Sequence, residues 1–284
     1  MRNCAVSLSV PFYAAGGARS LVLSSSSSGI RLKISQSRHT SKVARSTDPH
    51  YPASMCGRFT RYHTWSQVHA MYRLTAPAEA GRNDEPRYNI APTEDVPFVT
   101  AGDPGNHKLR EGRWWLVPWW AKEVPKAAMF NARIETIDSS PAFRDAFKSR
   151  RCLIPADGFY EWTINLSDGG KDPWHIYQPG HQPFSFAGLW AYNATLDVTS
   201  CTIITEAAAT PMTELHTRQP VILAPDYYDV WLNPETPWGD LKEILSHEID
   251  DRLQFYRVDR SVNATVADKK RNDHADLSGP TNPL

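Results

Sequence analysis

No apolar run in the chain approaches the roughly 20 residues that a membrane-spanning helix needs, which excludes a helical transmembrane protein. Cysteine is scarce, at 4 in 284 residues. That is too few for a disulfide framework and makes a reducing compartment the default. Net charge is absent as well: 31 basic residues balance 31 acidic ones, so no uniformly basic coat for nucleic acid exists. There is no phosphate-binding glycine loop, dinucleotide fingerprint or metal-ligand cluster, so neither a cofactor nor a metal is expected. What is present is globular in proportion, with 41% hydrophobic and 22% charged residues. The length allows at most about two average domains and a full core without staples. The 10 tryptophans and 22 prolines suggest a loop-rich protein with aromatic surfaces.

The zero net charge hides three regions. Residues 1–54 hold seven basic residues, one acidic residue and 13 serines, five of them consecutive from Ser24 to Ser28. Residues 55–151 carry a net +4 and residues 152–284 a net −10. An anionic ligand would be met mainly by the middle region, in a local groove. The first 54 residues show no periodicity and are not expected to fold. Three readings stand for them: translation beginning at Met55, an organelle transit peptide, or a disordered tail.

Beyond Met55 the pattern predicts one α+β domain over residues 55–280, built mainly on antiparallel strands, with a short tail at 281–284. Thr64 to Leu74 reads as an amphipathic helix, and Pro141 to Arg150 as a helix capped by Ser140. Pro225 to Leu232 is a further helix, and Pro211 to Leu215 a helical turn. Strands are expected at Val96–Thr100, Trp114–Val117, Cys152–Ile154, Gly158–Thr163, His175–Tyr177, Phe184–Trp190, Thr202–Thr205, Val221–Leu223 and Phe255–Val258. Pro86 to Pro92 reads as a turn-rich loop.

The chemistry starts at Met55-Cys56-Gly57-Arg58-Phe59-Thr60. With Met55 removed, Cys56 carries a free α-amine beside its thiol, and both are partly unprotonated near neutrality. Such a 1,2-aminothiol condenses with an aldehyde to a Schiff base, and its thiol then closes a five-membered thiazolidine. No internal cysteine can do this. The plain alternative is a small buried cysteine followed by a turn glycine.

Further segments follow in order: Arg87-Tyr88-Asn89-Ile90-Ala91-Pro92, Trp119-Trp120, Asn131-Ala132-Arg133-Ile134-Glu135-Thr136 and Pro141-Ala142-Phe143-Arg144. Then come Arg151 to Trp162 (RCLIPADGFYEW), Phe186 to Trp190 (FAGLW), Ile204-Thr205, and His216 to Leu223 (HTRQPVIL). In this order and spacing the chain resembles the SOS response-associated peptidase (SRAP) family over about residues 55–280, including the late Arg271-Asn272-Asp273 stretch. The resemblance implies a shield for abasic sites in single-stranded DNA, crosslinked to the sugar aldehyde through the N-terminal cysteine, and an autoprocessing peptidase activity. It implies a DNA-associated place inside the cell, in nucleus or nucleoid, or in an organelle if residues 1–54 are a transit peptide. A monomer is expected.

Carried over residue by residue, Cys56 matches the crosslinking nucleophile, Asn131 the residue positioning it, Glu161 an acid/base and His216 a second acid/base. An abasic sugar is mostly a closed hemiacetal, and opening it needs a group that titrates near neutrality, as histidine does. Expelling water at the Schiff-base step needs an acid, which Glu161 supplies if flanking Tyr160 and Trp162 desolvate it. The neutral Asn131 amide can hydrogen-bond without bringing charge. For DNA, Arg58, Arg133 and Arg218 offer guanidinium forks, Trp119 and Trp120 a stacking platform, and Asn89, Pro92 and Thr205 complete the contact set. Each has an ordinary reading too: Glu161 on a solvent-facing strand position, His216 beside a turn, Asn131 as a turn former, the Trp pair as core. Arg144, Lys148, Arg150 and Arg151 read as a solvated helix face.

Two other functions compete, a thiol peptidase using Cys56 with His216 and Glu161, and a non-covalent single-stranded DNA binder. The chain departs from the family pattern at Trp114-Trp115, where Trp-Gly is usual, at Thr217 and Gln219, and in the 54-residue extension. With that extension in place the α-amine is locked in a peptide bond.

Overall fold

The computed structural model describes residues 8–14, 17–26, 29–35, 56–74, 85–102, 106–245, 252–264 and 272–281. It divides into two units, Met1–Pro52 and Ala53–Leu284. In the first, β1 (Leu8–Ala14), β2 (Gly17–Ser26) and β3 (Gly29–Ser35) pair as an antiparallel sheet. These strands lie within the segment 1–54. Ile30, Leu32 and Ile34 alternate with Arg31 and Lys33, a strand period that the serine-rich composition hides.

In the second unit, a sheet is built from β4 (Phe59–Arg61), β5 (Arg87–Ile90), β10 (Gly158–Ile164), β11 (Lys171–Tyr177) and β16 (Gln254–Arg257), in the order β16-β11-β10-β4-β5. The other sheet holds β6 (Asp95–Ala101), β7 (His107–Trp114), β8 (Asn131–Arg133), β9 (Arg151–Ala156), β12 (Phe184–Asn193), β13 (Val198–Ala207), β14 (Arg218–Pro220) and β15 (Ile222–Leu223). Because β13 pairs with both β7 and β12, the strands β7-β6-β9-β12-β13 close into a small barrel. The β7–β13 contact is parallel and close: a Cβ on Gly112 would lie 2.6 Å from the Thr199 carbonyl oxygen, so only glycine fits there.

Strand alternation sorts the core. Phe98, Cys152, Ile154, Phe186, Cys201 and Ile203 face the first sheet and pack with Phe59, Ile90 and Phe159. Their neighbours Val99, Leu153, Ala187 and Ile204 face the other way. They are covered by α1 (Trp65–Tyr72), α2 (Arg144–Ser149), α3 (Tyr228–Leu232) and α4 (Trp238–Ile244). The fold is therefore α+β, mainly antiparallel, with few short helices. No helix among the described residues is long and apolar enough to cross a membrane.

Several local expectations need correction. Pro86–Pro92 contains strand β5, which pairs with β4. The strand expected at Trp114–Val117 lies earlier, as β7, whose charged sequence HKLREGRW masked it; the chain leaves the strand after Trp114. Helix α2 starts at Arg144, and Ser140 gives no side-chain cap; instead its carbonyl accepts from Phe143 and Arg144 N–H in a turn. The α1 helix does carry a capping box, Thr64 with Gln67. Arg151 is no solvated residue. It is 2% exposed, and its guanidinium donates to the carbonyls of Phe147, Lys148, Trp231 and Asn233. It thereby caps the C-terminal ends of α2 and α3 together, where a cation also suits both helix dipoles.

Candidate active site and nucleic-acid interface

Cys56 stands three residues before the start of strand β4. The Phe59–Phe159 register and the hydrogen bond from Tyr160 N–H to the Arg58 carbonyl bring it back along β10 to Glu161. There the Cys56 backbone nitrogen donates to Glu161 Oε1 at 2.7 Å. Both residues are buried, Cys56 completely and Glu161 at 1% exposure. Burial pushes the Glu161 carboxyl up to about 8, against the opposing effect of the Cys56 and Trp162 N–H groups. Burial, with the Glu161 charge second, raises the Cys56 thiol well above its ordinary range.

The desolvation of Glu161 does not come from Tyr160 and Trp162. Alternation sends both to the opposite face, where they pack with Val258, Val262, Leu277 and Tyr256. Glu161 shares its side of β10 with Phe159, towards the core between the two sheets.

The core cluster that includes Cys56 also includes Phe130 and Met212. Asn131 follows Phe130 as the first, half-buried residue of β8, held in register with Ile203. His216 lies just beyond Met212, its N–H bonded to the Met212 carbonyl. Three loops thus converge on one cluster from the β4, β8 and β14 ends. His216 Nδ1 sits 3.1 Å from the Arg218 N–H and 3.2 Å from the Arg218 carbonyl. Either neutral tautomer therefore finds a partner, and Nε2 can present a proton or a lone pair. Burial lowers the His216 pKa, which favours the neutral ring.

The residues expected to meet DNA divide into two kinds. Arg58 is buried, and its guanidinium donates to Asn89 Oδ1 at 2.8 Å and to the Val262 carbonyl at 2.6 Å. Asn89 donates in turn to the Asn272 carbonyl at 2.9 Å, and Asp273 accepts from the Tyr88 and Asn89 N–H groups. Arg58 and Asn89 therefore tie the Cys56 segment to β5 and to the C-terminal stretch. Thr205 is buried on β13, and its carbonyl accepts from Arg218. Arg218 is further paired with Glu135. Pro92 is half-buried just after β5.

Arg133, Trp119 and Trp120 face solvent, the tryptophans at 55% and 50% exposure. The tryptophan loop is pinned from beneath. Buried Asn193 donates to the Pro118 and Ala121 carbonyls at 2.7 and 2.8 Å, and Ala121 N–H closes a turn on Pro118. Trp114 is core and Trp115 packs partly buried against Phe130. Sequence reasoning assigned no part to Glu135 or Asp273, although both lie inside segments it singled out; an acidic residue two positions after Arg133 was the available signal. Among the described residues no cluster of His, Cys, Asp or Glu could hold a metal ion.

The arrangement places a carboxyl group on the nitrogen of a buried cysteine, while His216 and Asn131 each adjoin a residue, Met212 and Phe130, of the core cluster that holds Cys56. A family model, SOS response associated peptidase (SRAP), matches residues 55–265. The abasic site processing protein YoaM of Bacillus subtilis is 36% identical over 81% of this chain and 100% of its own length. YedK of Escherichia coli, also named an abasic site processing protein, is 28% identical over 73% of this chain and 94% of its own. A solved structure from Bacteroides thetaiotaomicron superposes with a TM-score of 0.67 at 21% identity, covering 80% of this chain and 100% of that one, a likeness of fold. With the family model spanning Cys56, Asn131, Glu161 and His216 alike, the chain belongs to the SOS response associated peptidase (SRAP) family.

Proposed function

We propose that this protein binds single-stranded DNA at abasic sites and crosslinks to them through Cys56 once Met55 has been removed. The observation that carries the reading is the 2.7 Å contact between the Cys56 nitrogen and Glu161. In a full-length chain that nitrogen is an amide. After removal of Met55 it is an α-amine beside the Glu161 carboxylate, which can take its proton and leave the amine nucleophilic.

The steps balance with water as the only leaving group. His216 moves the proton that opens the sugar hemiacetal to the C1′ aldehyde. The Cys56 amine adds to C1′, and Glu161 donates the proton with which the carbinolamine hydroxyl leaves as water. Cys56 Sγ then adds to the imine carbon while its proton passes to the nitrogen, closing the thiazolidine. Asn131 orients the amine or the sugar. Arg133 and Arg218 hold phosphates, and Trp119-Trp120 stacks flanking bases, a contact worth about 1–3 kcal/mol per base that tolerates any sequence.

A thiol peptidase reading fits less well, because Glu161 contacts the nitrogen and burial keeps the thiol protonated. Intact mass decides between them. The chain beginning at Cys56 is mixed with an oligonucleotide containing one abasic site. A stable adduct at the summed mass less one water is expected, lost in Cys56→Ser while non-covalent binding persists. Equal adduct in Cys56→Ser would defeat the proposal, as would peptide turnover without adduct.

A further inference from the structure

Arg218 carries a carboxylate already. Its Nη1 donates to Glu135 Oε1 and its Nη2 to Glu135 Oε2 at 2.9 Å, while Nη2 also reaches the Thr205 carbonyl at 2.8 Å. The residues come from different places. Glu135 lies in the turn following β8, Arg218 opens β14, and β13 runs between those strands with Thr205 in register with Arg133. Their surroundings differ as well. The Arg218 side chain is 13% exposed and the Glu135 side chain 49% exposed. The guanidinium is fixed in the wall, whereas the carboxylate stands at the solvent edge. Arg133, exposed on the same edge, is near enough that its charge helps hold the Glu135 carboxyl below its usual range, after the larger effect of the Arg218 hydrogen bond.

Two carboxylate oxygens on two guanidinium nitrogens is the geometry with which arginine also takes two oxygens of a phosphate. We propose that Glu135 is an internal stand-in for a DNA phosphate, occupying the Arg218 fork in the unbound protein and leaving it when a strand binds. The inference rests on the functional reading above and deepens it by naming a residue that sets affinity. The carboxylate end of the pair is half exposed and screened by solvent, so a phosphate anchored by the rest of its strand can replace it. A free small anion gains nothing by the exchange, since one anion replaces another. Glu135 thus lowers affinity for anions in general and favours a polyanion that makes several contacts at once. It also reduces the number of counterions released on binding, because the freed carboxylate takes up what the phosphate gives away.

The test uses a single-stranded oligonucleotide carrying a tetrahydrofuran abasic analogue, which has no aldehyde and so reports binding alone. Fluorescence anisotropy gives Kd across a salt series for the wild type, Glu135→Gln, Arg218→Ala and the double variant, with thermal melts to confirm folding. Glu135→Gln is expected to tighten binding about 2- to 5-fold, the range of an ion pair with one solvent-screened partner. The log–log salt slope should steepen by up to about 0.7, one single-strand phosphate contact. Both effects should vanish in the Arg218→Ala background, which separates displacement from a general gain of positive charge. Unchanged or weaker binding by Glu135→Gln would overturn the inference, the latter by making Glu135 a support for Arg218. So would tightening that survives Arg218→Ala. Failure of the wild type to bind the strand at any salt concentration would overturn the functional reading, and this inference with it.

Discussion

Glu161 Oε1 accepts a hydrogen bond from the Cys56 nitrogen at 2.7 Å in a site where both residues are buried. A carboxylate ion there would lack a full counter-charge while Cys56 remains peptide-bonded, which is why burial moves its pKa up to about 8. The consequence for stability has a definite sign. Unfolded, the carboxyl titrates near 4.3. Between there and about 8 the folded chain binds more protons than the unfolded one, so stability is highest below the lower value and falls as pH rises through the window. Glu161→Gln removes that dependence. Urea midpoints of the full chain from pH 5 to 9 should fall for the wild type by an amount worth a few kcal/mol relative to Glu161→Gln. Parallel profiles would show that the carboxyl is already ionised at pH 5.

Arg151 gives a prediction independent of any activity. Its guanidinium serves four carbonyls at the ends of α2 and α3, and its own pKa is lowered to about 10 by burial. Arg151→Met fills similar volume but leaves those carbonyls without their donor. A loss of roughly 2–4 kcal/mol is expected in denaturant unfolding, with α2 and α3 losing amide-exchange protection first. A loss under about 0.5 kcal/mol would mean that water replaces the guanidinium without penalty.

Arg133 is exposed and is the cation proposed to meet phosphate, whereas Arg58 and Arg218 have internal partners. Binding to abasic single strands should weaken with salt, and Arg133→Ala should flatten the log–log slope by roughly 0.7, one phosphate contact. The corresponding Arg58→Ala change should instead lower the melting temperature, because it breaks the Asn89 and Val262 contacts under β4. An unaltered slope in Arg133→Ala would place phosphates elsewhere.

Strands with apolar periods, such as β6, β9 and β12, were legible because their residues face a core on one or both sides. β7 was not, since Lys108, Arg110, Glu111 and Arg113 occupy its exposed and half-buried positions and a charged run hides the strand period, although β6 and β13 pair with it and Trp114 is core. β8 and β14 were missed for a different reason: each is three residues long and exists only by pairing with β13. The proximity of Cys56 to Glu161 could be expected from motif order, but the pairing of Arg218 with Glu135 could not. It joins the first residue of one such short strand to the turn that follows the other, and no local pattern encodes a contact made across a third strand.

The last prediction separates His216 from Glu161. The imidazole is neutral by burial and can expose either a proton or a lone pair at Nε2, which suits moving a proton between the ring oxygen and the hydroxyl of a closed sugar. Glu161 sits instead on the nitrogen that becomes the Schiff base in the proposed mechanism. His216→Ala should therefore slow crosslinking to a closed-ring abasic site, and slow it much less on a substrate presenting an open aldehyde, because the step it serves is bypassed. Glu161→Ala should slow both substrates. It should also slow release of a preformed crosslink, since the reverse path runs through the same proton transfers. A general acid or base contributes typically about 10²–10⁴-fold, which is measurable above background aldehyde chemistry. The measurement is a gel time course of adduct formation for both variants on both substrates, followed by release from purified adduct. Equal impairment of His216→Ala on the two substrates would remove it from ring opening and make it a positioning residue for the Arg218 backbone.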